Sequence, residues 1–112
     1  MELSDKELLE LAAKAAGMDP IRSSWGATMV RGDGSGPRGK PTWNPLEDDA
    51  DALRLAVRTG LLVLTARGFA VANHDDLPSA IRIAVGDDPY AATRRAIVRA
   101  AAEIGRYDGR NS

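Results

Sequence analysis

Two stretches of the sequence decide the fold: WNPLEDDADALRLAV at residues 43–57 and DDPYAATRRAIVRAAAEIG at residues 87–105. In each, a side chain that can cap a helix, Asn44 or Asp88, stands directly before a proline, and an amphipathic run follows. Proline is favoured at the first helical position because its φ angle is already helical and its missing N–H would have no partner there. The two stretches therefore predict helices that begin at Pro45 and Pro89.

Carboxylates fill the first turns of the earlier helix, where the helix dipole favours negative charge, and Gly60 is expected to end it. Its apolar spacing predicts that one face is buried, while Leu55 points to the opposite side and suggests a second packing surface. The predicted inner face consists of Leu46, Ala50, Leu53 and Val57.

The later helix is expected to run from Pro89 to about Ile104. Its arginines fall mainly on the outer face, at Arg95, Arg99 and Arg106, whereas Arg94 lies at the edge of the apolar stripe. The predicted buried stripe consists of Tyr90, Ile97, Ala101 and Ile104.

A further helix is predicted at the start of the chain. Ser4 and Glu7 have the spacing of a capping box, Leu3 and Leu8 stand at the positions of a hydrophobic staple, and Gly17 is placed to end the helix in a left-handed conformation. The buried stripe is expected to contain Leu8, Leu11, Ala12 and Ala15.

Strands are predicted between the last two helices. The apolar run 61–66 is typical of a strand covered on both faces, and Arg67-Gly68 turns it into a hairpin partner at 69–74. A third strand is expected at 79–85, with Ile81, Ile83 and Val85 on one face. The small side chains of Ala70 and Ala72 fit either a helix packed closely against the sheet or a shallow ligand floor.

These elements predict an α+β fold in which a small, mainly antiparallel sheet of three to five strands is sandwiched by three helices. A length of 112 residues favours one domain with one core over 1–112. Residues 21–31 are expected to hold one or two short strands around Gly26. The Gly/Pro-rich stretch 31–42 is expected to be a flexible loop, and residues 107–112 a frayed tail.

Composition excludes several function classes. The net charge of −1 disfavours a duplex-DNA-binding protein, and the absence of cysteine excludes disulfides, thiolate zinc sites and thiol nucleophiles. No apolar run reaches the 18 or so residues of a membrane span, and the acidic, helix-like start does not resemble a signal peptide. We therefore expect a cytoplasmic protein without membrane association.

The chain resembles a family of small bacteriophage proteins, the phage ABA-sandwich domain family. The resemblance lies in the opening DKELLELAAKAAG at residues 5–17 and in the two helix-start stretches, and it covers residues 2–18, 43–60 and 86–106. It implies a sheet sandwiched by helices and a phage or prophage origin. It identifies no catalytic residues in this chain, because the family is largely uncharacterised.

Enzyme motifs are incomplete. GSGPRGKP at residues 34–41 is close to a phosphate-binding P-loop, but Pro41 replaces the hydroxyl that would bind magnesium, and no helix starts there. Asp48 and Asp51 could converge on a cation, although roles in the helix dipole and in solubility explain them better. His74 is the single histidine, which excludes sites built from several histidines. We therefore predict no catalytic residues, no metal and no cofactor.

The most coherent ligand site lies around the glycine-rich loop. Trp25 and Trp43 flank the loop, Arg38 and Lys40 lie within it, and Arg94 leans inward from the last helix. A base stacked on tryptophan with its phosphate held by arginine is a common way to bind a nucleotide. The alternative is that Trp43 packs in the core and Arg94 pairs with Asp48, Asp49 or Asp51. We assign ligand binding to Trp25, Arg38, Lys40, Trp43, Arg94 and Arg95.

These features favour a non-enzymatic, phage-encoded binding protein that sequesters a nucleotide-type signalling molecule of host immunity, with a small anionic ligand as its partner. The alternative is a protein–protein interaction module. The acidic start of the helix at Pro45, the basic face of the helix at Pro89 and the apolar Leu55 would serve to form a homo-oligomer or to dock onto a host defence protein. A third reading is a metal-dependent, nucleotide-degrading enzyme that uses the carboxylates of residues 47–51.

Overall fold

The structure, a computed structural model, describes residues 3–17, 20–22, 28–30 and 43–110, and among these the side chains of 3–17 and 43–106. The described part holds three helices and five strands. They are, in chain order, α1 (Asp5–Ala15), β1 (Pro20–Arg22), β2 (Thr28–Val30), α2 (Asp49–Thr59), β3 (Leu62–Ala66), β4 (Phe69–Asn73), β5 (Ile81–Ala84) and α3 (Pro89–Arg110).

The strands form two antiparallel groups. The main sheet has the order β3-β4-β5, so that each strand pairs with its neighbour in the chain, while β1 pairs with β2 in a separate two-stranded ribbon. Gly68, at φ 98°, makes the β3–β4 turn that the sequence predicted. Three helices and a small antiparallel sheet packed together confirm the predicted α+β class, and β1 and β2 confirm the short strands expected on either side of Gly26.

One helix, α3, packs directly on the sheet. Ala70 and Ala72 of β4 are at most 1 % exposed and form a buried cluster with the alanines at positions 92, 96 and 100 of α3. The register places Ile83 opposite Ala70 and Ile81 opposite Ala72, so these isoleucines share the covered face. Of the two readings of the small side chains, the closely packed helix is confirmed.

The first helix packs against α3. Ser4 accepts a hydrogen bond from the Glu7 backbone while Glu7 accepts one from the Ser4 backbone, which confirms the capping box, and Gly17 follows the helix at φ 74°. Gly105 lies so close to α1 that a Cβ there would stand 2.1 Å from the Leu11 carbonyl oxygen. The helices therefore touch backbone to backbone at this point.

The start of α2 differs from the prediction. The helix begins at Asp49 with Asp48 as its cap, and the Asp48 side chain accepts a hydrogen bond from the Asp51 backbone. Asn44 instead organises a separate turn, because its side chain accepts from the Leu46 backbone and its carbonyl accepts from the Asp48 backbone. Asp48, which the sequence predicts within the first turn of the helix, is therefore the residue that caps it.

The buried face of α2 is also opposite to the predicted one. Leu55 is 1 % exposed and lies in the core with Ala52 and Ala56, whereas Leu53 and Val57 are 65 % and 73 % exposed. Both sides of α2 carry apolar residues, so periodicity alone does not distinguish them. The side with two alanines packs against α3 because small side chains let two helix backbones approach closely.

Three further expectations are wrong. The strand β3 is not covered on both faces, since Leu62 and Leu64 are exposed. Tyr90 is exposed rather than part of the buried stripe, although Ile97, Ala101 and Ile104 are buried as predicted. The last helix runs to Arg110 instead of ending at about Ile104. The predicted loop 31–42 and residues 111–112 lie outside the described residues.

Candidate functional site

The structure describes three of the six residues that the sequence groups into one ligand site. Trp25, Arg38 and Lys40 lie outside the described residues, so their predicted roles stay predictions. Trp43, Arg94 and Arg95 are described, and they lie in three different environments.

Trp43 belongs to the hydrophobic core. Trp43 is 5 % exposed, and it packs in the same cluster as Leu9, Leu55 and Val98. A ring without an exposed face cannot stack on a ligand base, so the assignment of Trp43 to the ligand site is corrected. The alternative that the sequence offered, a tryptophan packed in the core just before the α2 turn, is what the structure shows.

Arg94 joins α3 to the start of α2. Its Nε donates a hydrogen bond to the Leu46 carbonyl oxygen over 2.9 Å, and its Nη1 lies 2.6 Å from an Asp49 carboxylate oxygen. The Arg94 side chain is only 15 % exposed, so this guanidinium is held between its two partners. The structure thus shows the alternative that the sequence offers for Arg94, a pair with an acidic residue at the start of α2.

Arg95, in contrast, lies in an open pocket with two further arginines. The pocket has a volume of about 260 Å³ and lies between α1, β5 and α3. We call it the arginine pocket, and its lining consists of Leu3, Leu8, Ile81, Arg95, Arg99, Glu103 and Arg106.

Helix geometry brings the charged residues of the pocket together. Arg95, Arg99 and Arg106 are separated by four and seven residues, which places them on one side of α3. The side chains of Arg95 and Arg106 are 42 % and 43 % exposed, and Arg99 is half-buried. From the same spacing, the sequence predicts only a solvated outer face of the last helix. The sequence therefore missed Arg99 and Arg106 as site residues.

The apolar part of the pocket comes from other elements. Leu3 lies just before α1, Leu8 lies near the start of that helix, and Ile81 is the first residue of β5. Leu3 and Ile81 are partly buried, and Leu8 is 8 % exposed. The pocket thus combines guanidinium groups on one side with aliphatic side chains on the other.

Two of the three guanidiniums already have carboxylate neighbours. Arg95 donates to Asp5 Oδ1 through Nη1 and Nη2 at 3.3 and 3.2 Å, and Arg106 lies 3.2 Å from Glu103 Oε1. The Asp5 side chain is 67 % exposed, so its ion pair contributes little to stability and can exchange for another anion. Within the described residues, Arg99 makes no ion pair and no side-chain hydrogen bond. The pocket therefore carries a net positive charge.

Metal-binding groups, the histidine and membrane-spanning helices were the other features to consider in the described part of the chain. No group of three His, Asp or Glu side chains there converges on a point that could hold a metal ion. The histidine, His74, accepts a hydrogen bond from the Asp76 backbone at Nδ1 and so serves the turn after β4. In residues 3–17 and 43–110, no helix combines the length and the apolar character needed to cross a membrane.

Comparison with other proteins adds no assignment. The chain matches no protein-family model, and no curated protein and no solved structure shows significant similarity to it. The family resemblance drawn from the sequence therefore stays a prediction, and the function has to be argued from the arginine pocket.

Proposed function

We propose that this protein binds a small phosphate-bearing ligand of nucleotide type in the arginine pocket and releases it unchanged. The observation that carries the proposal is Arg99, a half-buried residue whose guanidinium has no ion pair among the described residues and is flanked on one helix face by Arg95 and Arg106. Guanidinium groups present several N–H donors in a plane and match the oxygens of a phosphate.

The shape of the pocket limits the size of the ligand. A volume of about 260 Å³ is slightly below the range of about 300–1,000 Å³ that is common for small-molecule sites. Leu3, Leu8 and Ile81 offer an apolar surface to a base or another flat ring, while the arginines take the phosphate. Binding would replace Asp5 and Glu103 as partners of the arginines, which costs little because surface ion pairs are weak.

A binding role without catalysis fits the residues that line the pocket. Glu103 is the one carboxylate in the lining, and its pairing with Arg106 leaves it poorly placed as a general base. Catalysis of phosphate-ester hydrolysis would need a positioned base or a metal-bound water near the phosphate. We infer that the pocket sequesters its ligand.

Isothermal titration calorimetry tests the proposal. The purified protein is titrated with inorganic phosphate, a linear mononucleotide, a cyclic mononucleotide and a cyclic dinucleotide. We expect heat with at least one nucleotide and a loss of affinity of about tenfold or more in Arg99→Ala, since a hydrogen bond to a charged group contributes about 1.5–3 kcal/mol. The matched control is Arg67→Ala, which removes an exposed arginine in the turn between β3 and β4.

Two results would contradict this function. The absence of heat and of thermal stabilisation with every probe would exclude a nucleotide-binding role. Chemical conversion of a bound nucleotide, detected by chromatography of the recovered ligand, would replace sequestration by catalysis and would favour the alternative of a nucleotide-degrading enzyme.

We further propose that the protein is phage-encoded and that its ligand is a signalling nucleotide of host immunity. The support for this step is the resemblance of residues 2–18, 43–60 and 86–106 to small phage proteins. Expression of the protein in a bacterium that carries a nucleotide-signalling defence system should restore phage growth, and Arg99→Ala should not. Equal phage growth with both proteins would show that the arginine pocket is not needed for this role.

A further inference from the structure

A second surface of the molecule is apolar and has no function in the proposed ligand binding. Within the described residues, most of the large hydrophobic side chains that are exposed gather on α2, β3 and the first turn of α3. We call this the β3 edge surface, and it consists of Leu53, Val57, Leu62, Leu64 and Tyr90, each between 55 % and 73 % exposed.

The β3 edge surface borders a groove. It has a volume of about 540 Å³ and runs between α2, β3 and the start of α3. Its walls are mainly aliphatic, although the paired Asp49 and Arg94 lie at one side. Val63 and Thr65 line the groove, while Leu62 and Leu64 alternate with them on the other face of the sheet. Both faces of β3 therefore contribute to the exposed surface.

The strand β3 is an edge strand without the usual protection. In the described part of the chain its outer side pairs with no strand, because the sheet order is β3-β4-β5. Natural edge strands commonly carry a charge or a proline that prevents pairing with another chain. The other edge strand, β5, has Arg82, whereas the sequence from Leu62 to Ala66 has neither a charged residue nor a proline.

We propose that two copies of this chain associate through the outer edge of β3 to form one continuous six-stranded sheet. A strand pairs with its own copy in antiparallel register when a two-fold axis perpendicular to the sheet passes through its centre. With the axis at Leu64, the two copies of Leu64 face each other and Leu62 faces Ala66. This arrangement satisfies the free backbone groups of β3 and places the exposed leucines of the two copies side by side.

The charges of α2 favour a second copy over another partner. The start of α2 is acidic, with Glu47 and Asp48, and its end is basic, with Arg58. An axis perpendicular to the sheet reverses the direction of every element that lies along the sheet, so the acidic start of one α2 faces the basic end of the other. The two helix dipoles are then antiparallel as well.

The oligomeric state over a range of concentrations tests this dimer. Native mass spectrometry and light scattering after gel filtration should report about twice the chain mass of 11.9 kDa for the unmodified protein. Leu64→Lys places a charge on the edge, and we expect it to raise the dimer dissociation constant at least tenfold. The matched control is Ala84→Lys, which adds the same charge to the exposed face of the other edge strand.

A charge swap distinguishes a direct contact from a loss of folding. Arg58→Glu should weaken the dimer because it sets like charges opposite each other, and Glu47→Arg should do the same. The double variant restores opposite charges and should regain most of the lost affinity. Lys6→Glu, on the exposed side of α1, is the control for the change in net charge.

The proposal is overturned by a protein that stays monomeric at millimolar concentration. It is also overturned by a dimer that responds neither to Leu64→Lys nor to the charge swap. Hydrogen exchange gives a further decisive result. Protection, in a monomeric sample, of the β3 amides that point away from β4 would show that another part of the same chain covers the edge. None of these outcomes depends on whether the arginine pocket binds a nucleotide.

Discussion

Replacement of Gly105 by alanine tests the packing of α1 against α3. The added Cβ would stand 2.1 Å from the Leu11 carbonyl oxygen and 2.9 Å from the Leu11 carbonyl carbon. Ordinary van der Waals contact starts at 3.4 Å, so the helices would have to separate by about 1.3 Å at this point. Because both colliding groups belong to backbones, no side-chain rotation can relieve the contact.

The magnitude follows from two opposing effects. Overpacking of a core costs about 1–3 kcal/mol, and we take about 3 kcal/mol here because the clash is with backbone. Alanine is more favourable than glycine inside a helix by about 1 kcal/mol. We therefore expect a net loss of about 2 kcal/mol in the free energy of unfolding, or roughly 8 °C in Tm for a domain of this size.

Urea denaturation followed by circular dichroism measures this change. The control is Gly86→Ala, where a Cβ meets nothing within 4 Å and the backbone is not left-handed, so stability should stay the same or rise slightly. A Gly105→Ala protein that is as stable as the original, or more stable, would refute the close approach of α1 and α3.

The remaining predictions concern single positions on the helices. Leu55→Ala should destabilise the protein by about 2–5 kcal/mol, and Leu53→Ala by less than about 1 kcal/mol, since these residues are 1 % and 65 % exposed; equal losses in urea denaturation would contradict the orientation of α2. Asp88→Ala removes the acceptor of two backbone N–H groups at the start of α3 and should cost about 1 kcal/mol in thermal unfolding, whereas an unchanged Tm would exclude the cap. Arg94→Ala should lower the free energy of unfolding by about 1–2 kcal/mol through loss of the Asp49 pair and a backbone hydrogen bond, while nucleotide affinity stays unchanged. A variant that binds nucleotide more weakly would show that Arg94 belongs to the ligand site.

Local signals in the sequence predicted the secondary structure well. The Ser4–Glu7 capping box, the Asp88–Pro89 start of α3 and the Gly68 turn depend on a few neighbouring residues, and each lies where it was expected. Such signals act through short-range hydrogen bonds and φ preferences, so they do not need knowledge of the tertiary structure.

The orientation of elements was harder to predict because it depends on tertiary contacts. The face of α2 was assigned to Leu53 and Val57, but α3 packs on the side of Ala52 and Ala56, where the backbones can approach. Similarly, the apolar composition of β3 indicated a covered strand, and the sheet order places it at an edge instead. An apolar pattern shows that burial is favourable but does not identify the partner.

The candidate site was predictable in part. The sequence predicts Arg95, Arg99 and Arg106 on the outer face of the last helix, and the structure places all three in the lining of one open pocket. The contribution of Leu3 and Ile81 was not predictable, because they come from separate elements that only the fold brings together. Among the described residues, the tryptophan and arginine that were expected to bind ligand, Trp43 and Arg94, serve packing and pairing.

Nuclear magnetic resonance of the arginine side chains tests the central claim most directly. The Nε–Hε signals of Arg95, Arg99 and Arg106 are followed while a nucleotide that produces heat in calorimetry is added, with Arg94 as the internal reference. We expect saturable shifts of the pocket arginines and a constant Arg94 signal. Shifts at Arg94 alone, or no shift at any of the four, would contradict an arginine pocket that binds nucleotides.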